Sequence, residues 1–341
     1  MGATKRSVRL GVIIFTLAAL FCFLWFVRSG LYPFVIATFL AYLLNPAVCY
    51  LEEQGVKRGW SILIIYFILF SSLILAGIKL IPILLRELEE FGQDIPEMAA
   101  RGQAMIQAFQ IQYQNSALPY SLRLALDDLL LTVENNIQEF IAAIINEFIE
   151  FFGHLIGVMI SPVLAFYLLK EWFEIKKNLL QLLPAAWRLE AVLIGQDIDK
   201  VLCGIIRGQV IVAVIVGLLV SIGLCLLQLN FALLIALLAG ILDFIPYFGA
   251  IIGAAPAVTL ALLDSPWLAL KVALLFILIH QLEGTVIHPK IVGESVGMHP
   301  LSVIFFAFIG GEVGGMLGML LGVPVAAIVK VVIFHVYRLL V

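Results

Sequence analysis

Apolar residues run through this chain in blocks of membrane length, and the polar residues between them fall in a few short loops and one long segment. Blocks suited to one helical crossing, which takes about 20 residues, lie at 10–27, 32–51, 60–85, 151–169, 207–227 and 267–287. Two further apolar regions, about 231–263 and 300–337, exceed thirty residues each and carry Gly and Pro near the middle. Each is too long for one ordinary crossing. Each therefore predicts a broken helix, either a re-entrant hairpin or two short spans with a break between them. Over 86–150 the pattern changes. Leu129, Val133, Ile137, Phe140, Ile144 and Phe148 recur at helical spacing among Asp, Glu, Gln and Asn, which predicts an amphipathic helix over about 120–152 running into the fourth span. Its apolar stripe suits packing on an earlier helix or a neighbouring subunit.

The two broken regions read as one device written twice. Asp243 stands six residues before Gly249, Gly253 follows four residues on, and Pro256 closes the run. Glu312, Gly318, Gly322 and Pro324 repeat that order 69 residues later. Apolar segments interrupted at corresponding positions of two halves are a pointer to a transporter's binding site.

Loop charge orients the chain by the positive-inside rule. Lys5, Arg6 and Arg9 precede the first apolar run with no acid among them, and no small-x-small cleavage site follows before Arg28. An uncleaved first span with its N-terminus inside is expected. Two spans return the chain to Lys57 and Arg58, inside. The third delivers 86–150, with eleven Asp and Glu against three Arg and no Lys, to the outer face. The fourth returns to a loop holding Lys170, Lys176, Lys177, Arg188, Lys200 and Arg207. If 231–263 and 300–337 are re-entrant hairpins, the first opens outward and the second inward. His288, Lys290, Lys330 and Arg338 then lie inside, and two span-plus-hairpin units run antiparallel. Two short spans per region give the same termini.

Composition agrees with this pattern: hydrophobic residues make up 63% of the 341 and charged residues 13%, far from a soluble domain. A net charge of −3 gives no basic surface for nucleic acid. Cys22, Cys49, Cys203 and Cys225 lie in or beside apolar segments and form no CxxC, so they read as small buried side chains, without a zinc site or disulfide framework. No HExxH, Gly-x-Ser-x-Gly or Walker sequence is present, so neither an enzyme nor a cofactor is expected.

Candidate chemistry sits where charge or broken backbone meets the membrane. An intramembrane carboxylate costs about 2.5–3.5 kcal/mol on insertion scales, so Asp243 and Glu312 either face a substrate path or cap a helix at the interface. Gly249, Gly253, Gly318 and Gly322 either let helices approach closely or, with Pro246, unwind a helix so that freed amides and carbonyls bind an ion. Gln281 and Glu283 interrupt the end of the 267–287 span and either line the path or belong to the adjoining loop. His280, alone among apolar residues, reads as a packing residue more readily than as a proton relay. The candidate path residues are Asp243, Pro246, Tyr247, Gly249, Gln281, Glu283, Glu312 and Gly318.

These residues also carry a resemblance. Leu40-Ala41-Tyr42-Leu43-Leu44-Asn45-Pro46, Phe166-Tyr167-Leu168-Leu169-Lys170-Glu171, Phe244-Ile245-Pro246-Tyr247-Phe248-Gly249, Pro289-Lys290-Ile291-Val292-Gly293 and Val323-Pro324-Val325-Ala326-Ala327-Ile328-Val329-Lys330 are together similar to the autoinducer-2 exporter family of bacterial membrane permeases. The chain departs from the family's habit at Ala250, where Pro is frequent. The resemblance implies a permease of the bacterial cytoplasmic membrane with both termini inside. It also implies a homo-oligomer whose order, a pentamer included, stays open. Its branches imply export of a quorum-sensing furanone derivative, Na⁺ or Li⁺ exchange for H⁺, or a sporulation-linked role without transport.

The chain is therefore read as an all-α polytopic protein of about six full spans plus two broken hairpins forming an inverted repeat. Residues 1–85 are the expected N-terminal scaffold, 86–150 an acidic extracytoplasmic segment, 151–206 the fourth span and a cytoplasmic connector, and 207–341 the transport core. Its expected partners are the lipid bilayer and a small polar solute or monovalent cation.

Overall fold

The computed structural model describes Gly30, 32–114, Thr132, 155–245, 248–291 and 298–340. Among these residues the regular structure is helical and no strand occurs. The helices are α1 Tyr32–Glu53, α2 Arg58–Gln114, α3 Leu155–Lys170, α4 Trp172–Leu182, α5 Arg188–Leu226, α6 Ala232–Leu242, α7 Phe248–Asp264, α8 Pro266–Leu282, α9 His288–Ile291 and α10 Pro300–Leu340. A π-helical turn, Glu283–Ile287, joins α8 to α9. Among the described residues, five stretches are long and apolar enough to cross a membrane: Tyr32–Glu53, Arg58–Asp94, Arg188–Leu226, Pro266–Ile291 and Gly318–Arg338. The expected span at 10–27 and the amphipathic helix at 120–152 lie outside the described residues.

The described part of the expected span 151–169 is α3, Leu155–Lys170. One detail differs from the sequence pattern. The second broken region has unequal arms, since Gly318–Arg338 is long enough to cross while Leu301–Gly315 is not.

The described residues fall within two compact units, one within Met1–Ile62 and Phe151–Lys177, the other within Leu63–Glu150 and Asn178–Val341. In the first unit α1 and α3 pack side by side, and the Tyr32 hydroxyl accepts from the Gly157 amide at 3.2 Å. Arg58 closes this unit. Its Nε donates to the Leu169 carbonyl at 2.6 Å, its Nη1 lies 2.7 Å from Glu52 Oε2, and its guanidinium covers the Phe173 ring at 4.9 Å. The Leu169 carbonyl belongs to the last turn of α3, where no helical amide is left to meet it.

In the second unit the core is a small-residue seam. Val212, Val216, Val220 and Leu224 recur every four residues along α5 and meet Ala232, Ile235, Ala236 and Ala239 of α6. Ala257 and Ala261 of α7 and Val272, Phe276 and Ile279 of α8 complete it. Small side chains bring backbones together where lipid supplies no hydrophobic drive between helices. A Cβ on Gly240 would stand 3.2 Å from the Ala213 carbonyl, and one on Gly253 would stand 2.9 Å from the Ala239 Cβ. The α6–α7 pair is thus a tight hairpin. Ser265 ends it by capping α8: its hydroxyl accepts from the Trp267 amide at 3.3 Å, with Pro266 at the first helical position.

α10 also folds back on itself. It breaks at Gly314 and Gly315, and Gly315 has φ +60° and ψ −145°, a conformation that glycine adopts without cost. On either side the arms touch through bare backbone: a Cβ on Gly310 would overlap the Gly318 carbonyl and lie 3.3 Å from Gly322 Cα. The break therefore sits at Gly314–Gly315, and Gly318 and Gly322 serve close packing. In the first hairpin the interruption falls between Leu242 and Phe248, and Gly249 lies in the first turn of α7.

Gly217 lies at the α5–α6 crossing, but an added Cβ would keep ordinary contacts of 3.5 Å. Gly217→Ala should therefore be neutral or stabilise by up to about 1 kcal/mol through helix propensity. Gly318→Ala should destabilise by about 3 kcal/mol or more through overpacking against backbone. Thermal unfolding of the two purified variants in one detergent checks the pair, and similar shifts would contradict this packing.

Candidate functional site

α6 ends at Leu242, and the chain turns through Asp243, whose amide still donates to the Ala239 carbonyl at 2.9 Å. The turn is held from α5: the Gln209 side-chain amide donates to the Asp243 main-chain carbonyl. That carbonyl is one of the acceptors a helix end leaves unmet. Gln209 is itself buried. The Asp243 side chain has no exposure at all, and among the described residues neither carboxylate oxygen has a hydrogen-bond partner.

Also buried is Glu283, 1% exposed, the first residue of the π turn, within electrostatic range of Asp243. Glu283 Oε2 lies 3.6 Å from His280 Nδ1, one helical turn back on α8. The π turn widens the helix here. The Thr285 hydroxyl donates to the Gln281 carbonyl, while α5 packs against both the π turn and α9. Such single π turns recur at functional sites. Two buried acids near one another favour uptake of a proton, because burying such charge without a counter-charge is costly; among the described residues no group of three His, Cys, Asp or Glu is placed to hold a metal ion.

The expected path residues thus divide. Asp243 and Glu283 come together. Gln281 is exposed beside them. Pro246 and Tyr247 lie outside the described residues, and Gly249 starts the helix that follows them. Glu312 is exposed near the Gly314–Gly315 break, unlike its twin Asp243, and Gly318 packs on Gly310. The two acids match in sequence and differ in surroundings. Sequence reasoning missed Gln209, although an amide two residues beyond Arg207 in an apolar run is a detectable signal. His280, which reads as a packing residue more readily than as a proton relay, lies 3.6 Å from Glu283.

A model of the AI-2E family of transporters matches residues 14–338. The chain is 30% identical over 328 residues to the putative transport protein YrrI of Bacillus subtilis, covering 96% of this chain and 92% of the relative. It is 24% identical to the AI-2 transport protein TqsA of Escherichia coli, with the same two coverages. It is 26% identical to the putative permease PerM of Escherichia coli, over 94% of this chain and 91% of the relative.

A buried carboxylate without a partner weighs against folding by roughly 1–3 kcal/mol. Asp243→Asn should therefore raise the unfolding temperature by a few degrees in buffer free of alkali cations, and Glu283→Gln should raise it less, since His280 already faces Glu283. A fall in unfolding temperature for Asp243→Asn would mean that the carboxylate is engaged in the resting protein.

Proposed function

The chain belongs to the AI-2E family of transporters, and from that premise we propose a secondary transporter whose coupling site is the buried pair Asp243 and Glu283, with His280 as the exchangeable partner of Glu283. The observation that carries this reading is the complete burial of Asp243 with both carboxylate oxygens unpartnered among the described residues. Such a group suits an ion or proton that arrives and leaves. Depth supports the same reading. The 11 residues of α6 rise about 16 Å at ~1.5 Å each, half of the ~30 Å apolar thickness. Asp243, at the end of α6, would then lie near the midplane, where transporters of broken-helix design hold their ions.

In this reading the tip of the α6–α7 hairpin and the two arms of α10 are the mobile parts, entering from opposite faces as an inverted pair. The protein works in the cytoplasmic membrane with both termini inside, as a homo-oligomer. The site binds a monovalent cation or a proton, and its exchange drives a small polar solute. A second reading, export of autoinducer-2 or a similar uncharged solute without ion coupling, draws on the name of TqsA and on the scarcity of charge in the core.

Purified protein in proteoliposomes with an internal pH dye tests both readings. Adding Na⁺ or Li⁺ should move protons in the wild type. The flux should fall at least tenfold in Asp243→Asn and Glu283→Gln at unchanged yield and oligomer size. Saturable uptake of autoinducer-2 without any ion response would favour the second reading. No flux of either kind would leave a membrane assembly role.

A further inference from the structure

The N-terminus of α6 lacks a cap of its own. Phe231, at the N-cap position, is left-handed with φ 60° and offers no side-chain acceptor, and the first intrahelical bond is Ile235 amide to Phe231 carbonyl. The amides of the first turn need an acceptor from elsewhere. One comes from α2: Glu87 Oε2 accepts from the Leu234 amide at 2.7 Å. A carboxylate at a helix N-terminus also meets the positive end of the helix dipole. One turn further along α2, the Phe91 ring stands edge-on to Phe231 at 5.3 Å. Further on, Arg101 Nη1 lies 3.5 Å from Asp264 Oδ1, the last residue of α7, and Glu97 steers the same guanidinium at 2.7 Å. A Cβ on Gly102 would lie 3.7 Å from Leu263 Cδ2. Glu87, Phe91 and Arg101 share one stripe of α2, spaced by one and then about three helical turns. Both feet of the hairpin that carries Asp243 stand on that stripe.

We infer that Glu87 is a positioning residue that mounts the α6–α7 hairpin on α2, supplying from a distant helix the cap that α6 lacks. The mount fixes the feet of the hairpin and leaves its tip, at Asp243, facing α5. It acts on the proposed coupling site only through α6, and its local test does not depend on transport.

That test is amide hydrogen exchange on the full-length protein in nanodiscs. In Glu87→Leu, exchange over 232–237 should speed up about tenfold. In Glu87→Gln, whose amide oxygen still accepts, it should speed up less. The first turn of α8, capped by Ser265, should not change in either variant. No change over 232–237, or an equal change in α8, would overturn the inference. A second arm replaces the native cysteines by serine and bridges Gly102→Cys to Leu263→Cys with a short bis-methanethiosulfonate. Ready bridging with Na⁺-driven proton flux kept within about twofold is expected. Failure to bridge, or a loss of flux that reductant reverses, would show that α2 and the hairpin separate in the working cycle. If even the unbridged protein gives no flux, the proposed function fails, while the exchange result still decides the mount.

Discussion

Within an apolar slab, every main-chain donor or acceptor that a helix end leaves open must find a partner inside the protein. The rest of this structure follows from that constraint. Helix ends are numerous here because two long apolar regions are broken, and each break creates unmet groups. Several are answered by a side chain from elsewhere in the sequence. Arg58 takes the Leu169 carbonyl at the end of α3, Glu87 takes the Leu234 amide at the start of α6, and Gln209 donates to the Asp243 carbonyl at the end of α6. Ser265 does the same work locally for α8.

Asp243 is the exception that gives the site its character. Its main chain is satisfied on both sides, at the amide by Ala239 and at the carbonyl by Gln209. Its side chain is left over, wholly buried and within electrostatic range of a second acid. A structural residue would be expected to resolve that conflict. A residue that holds a transient cation or proton would keep it.

The sequence pattern was a good guide to whatever repeats locally. The spans at 32–51, 60–85, 207–227 and 267–287 correspond to α1, α2, α5 and α8, and both long regions are broken, as Gly and Pro in an apolar run imply. What escaped it depends on which helix faces which. Glu87 opens the acidic stretch after the third span, with Glu89 and Glu90 beside it, so it reads as a solvated charge, and its partner is a backbone amide that no side-chain pattern marks. Glu283 gains its meaning from Asp243 across the packed helices, so nothing near it in sequence distinguishes a site residue from a loop residue. The match between Asp243 and Glu312 was real as spacing, but burial depends on the neighbours each turn meets, and those differ. Glycines posed a similar ambiguity: Gly315 turns the chain with positive φ while Gly318, three residues on, presses against Gly310, and both look alike on paper.

The long reach of the Glu87 bond bears on how the protein is made. The two partners are 147 residues apart in the chain, a strongly non-local contact of the kind that forms late. At typical synthesis rates of about 5–20 residues per second, Glu87 leaves the ribosome roughly 7–30 s before Leu234 does. During that interval the carboxylate stands just past the apolar part of α2, among Arg86, Glu89 and Glu90, with its final partner not yet synthesised. The start of α6 must therefore be delivered to an acid already in place at the end of the third span, and α6 has no cap until it gets there.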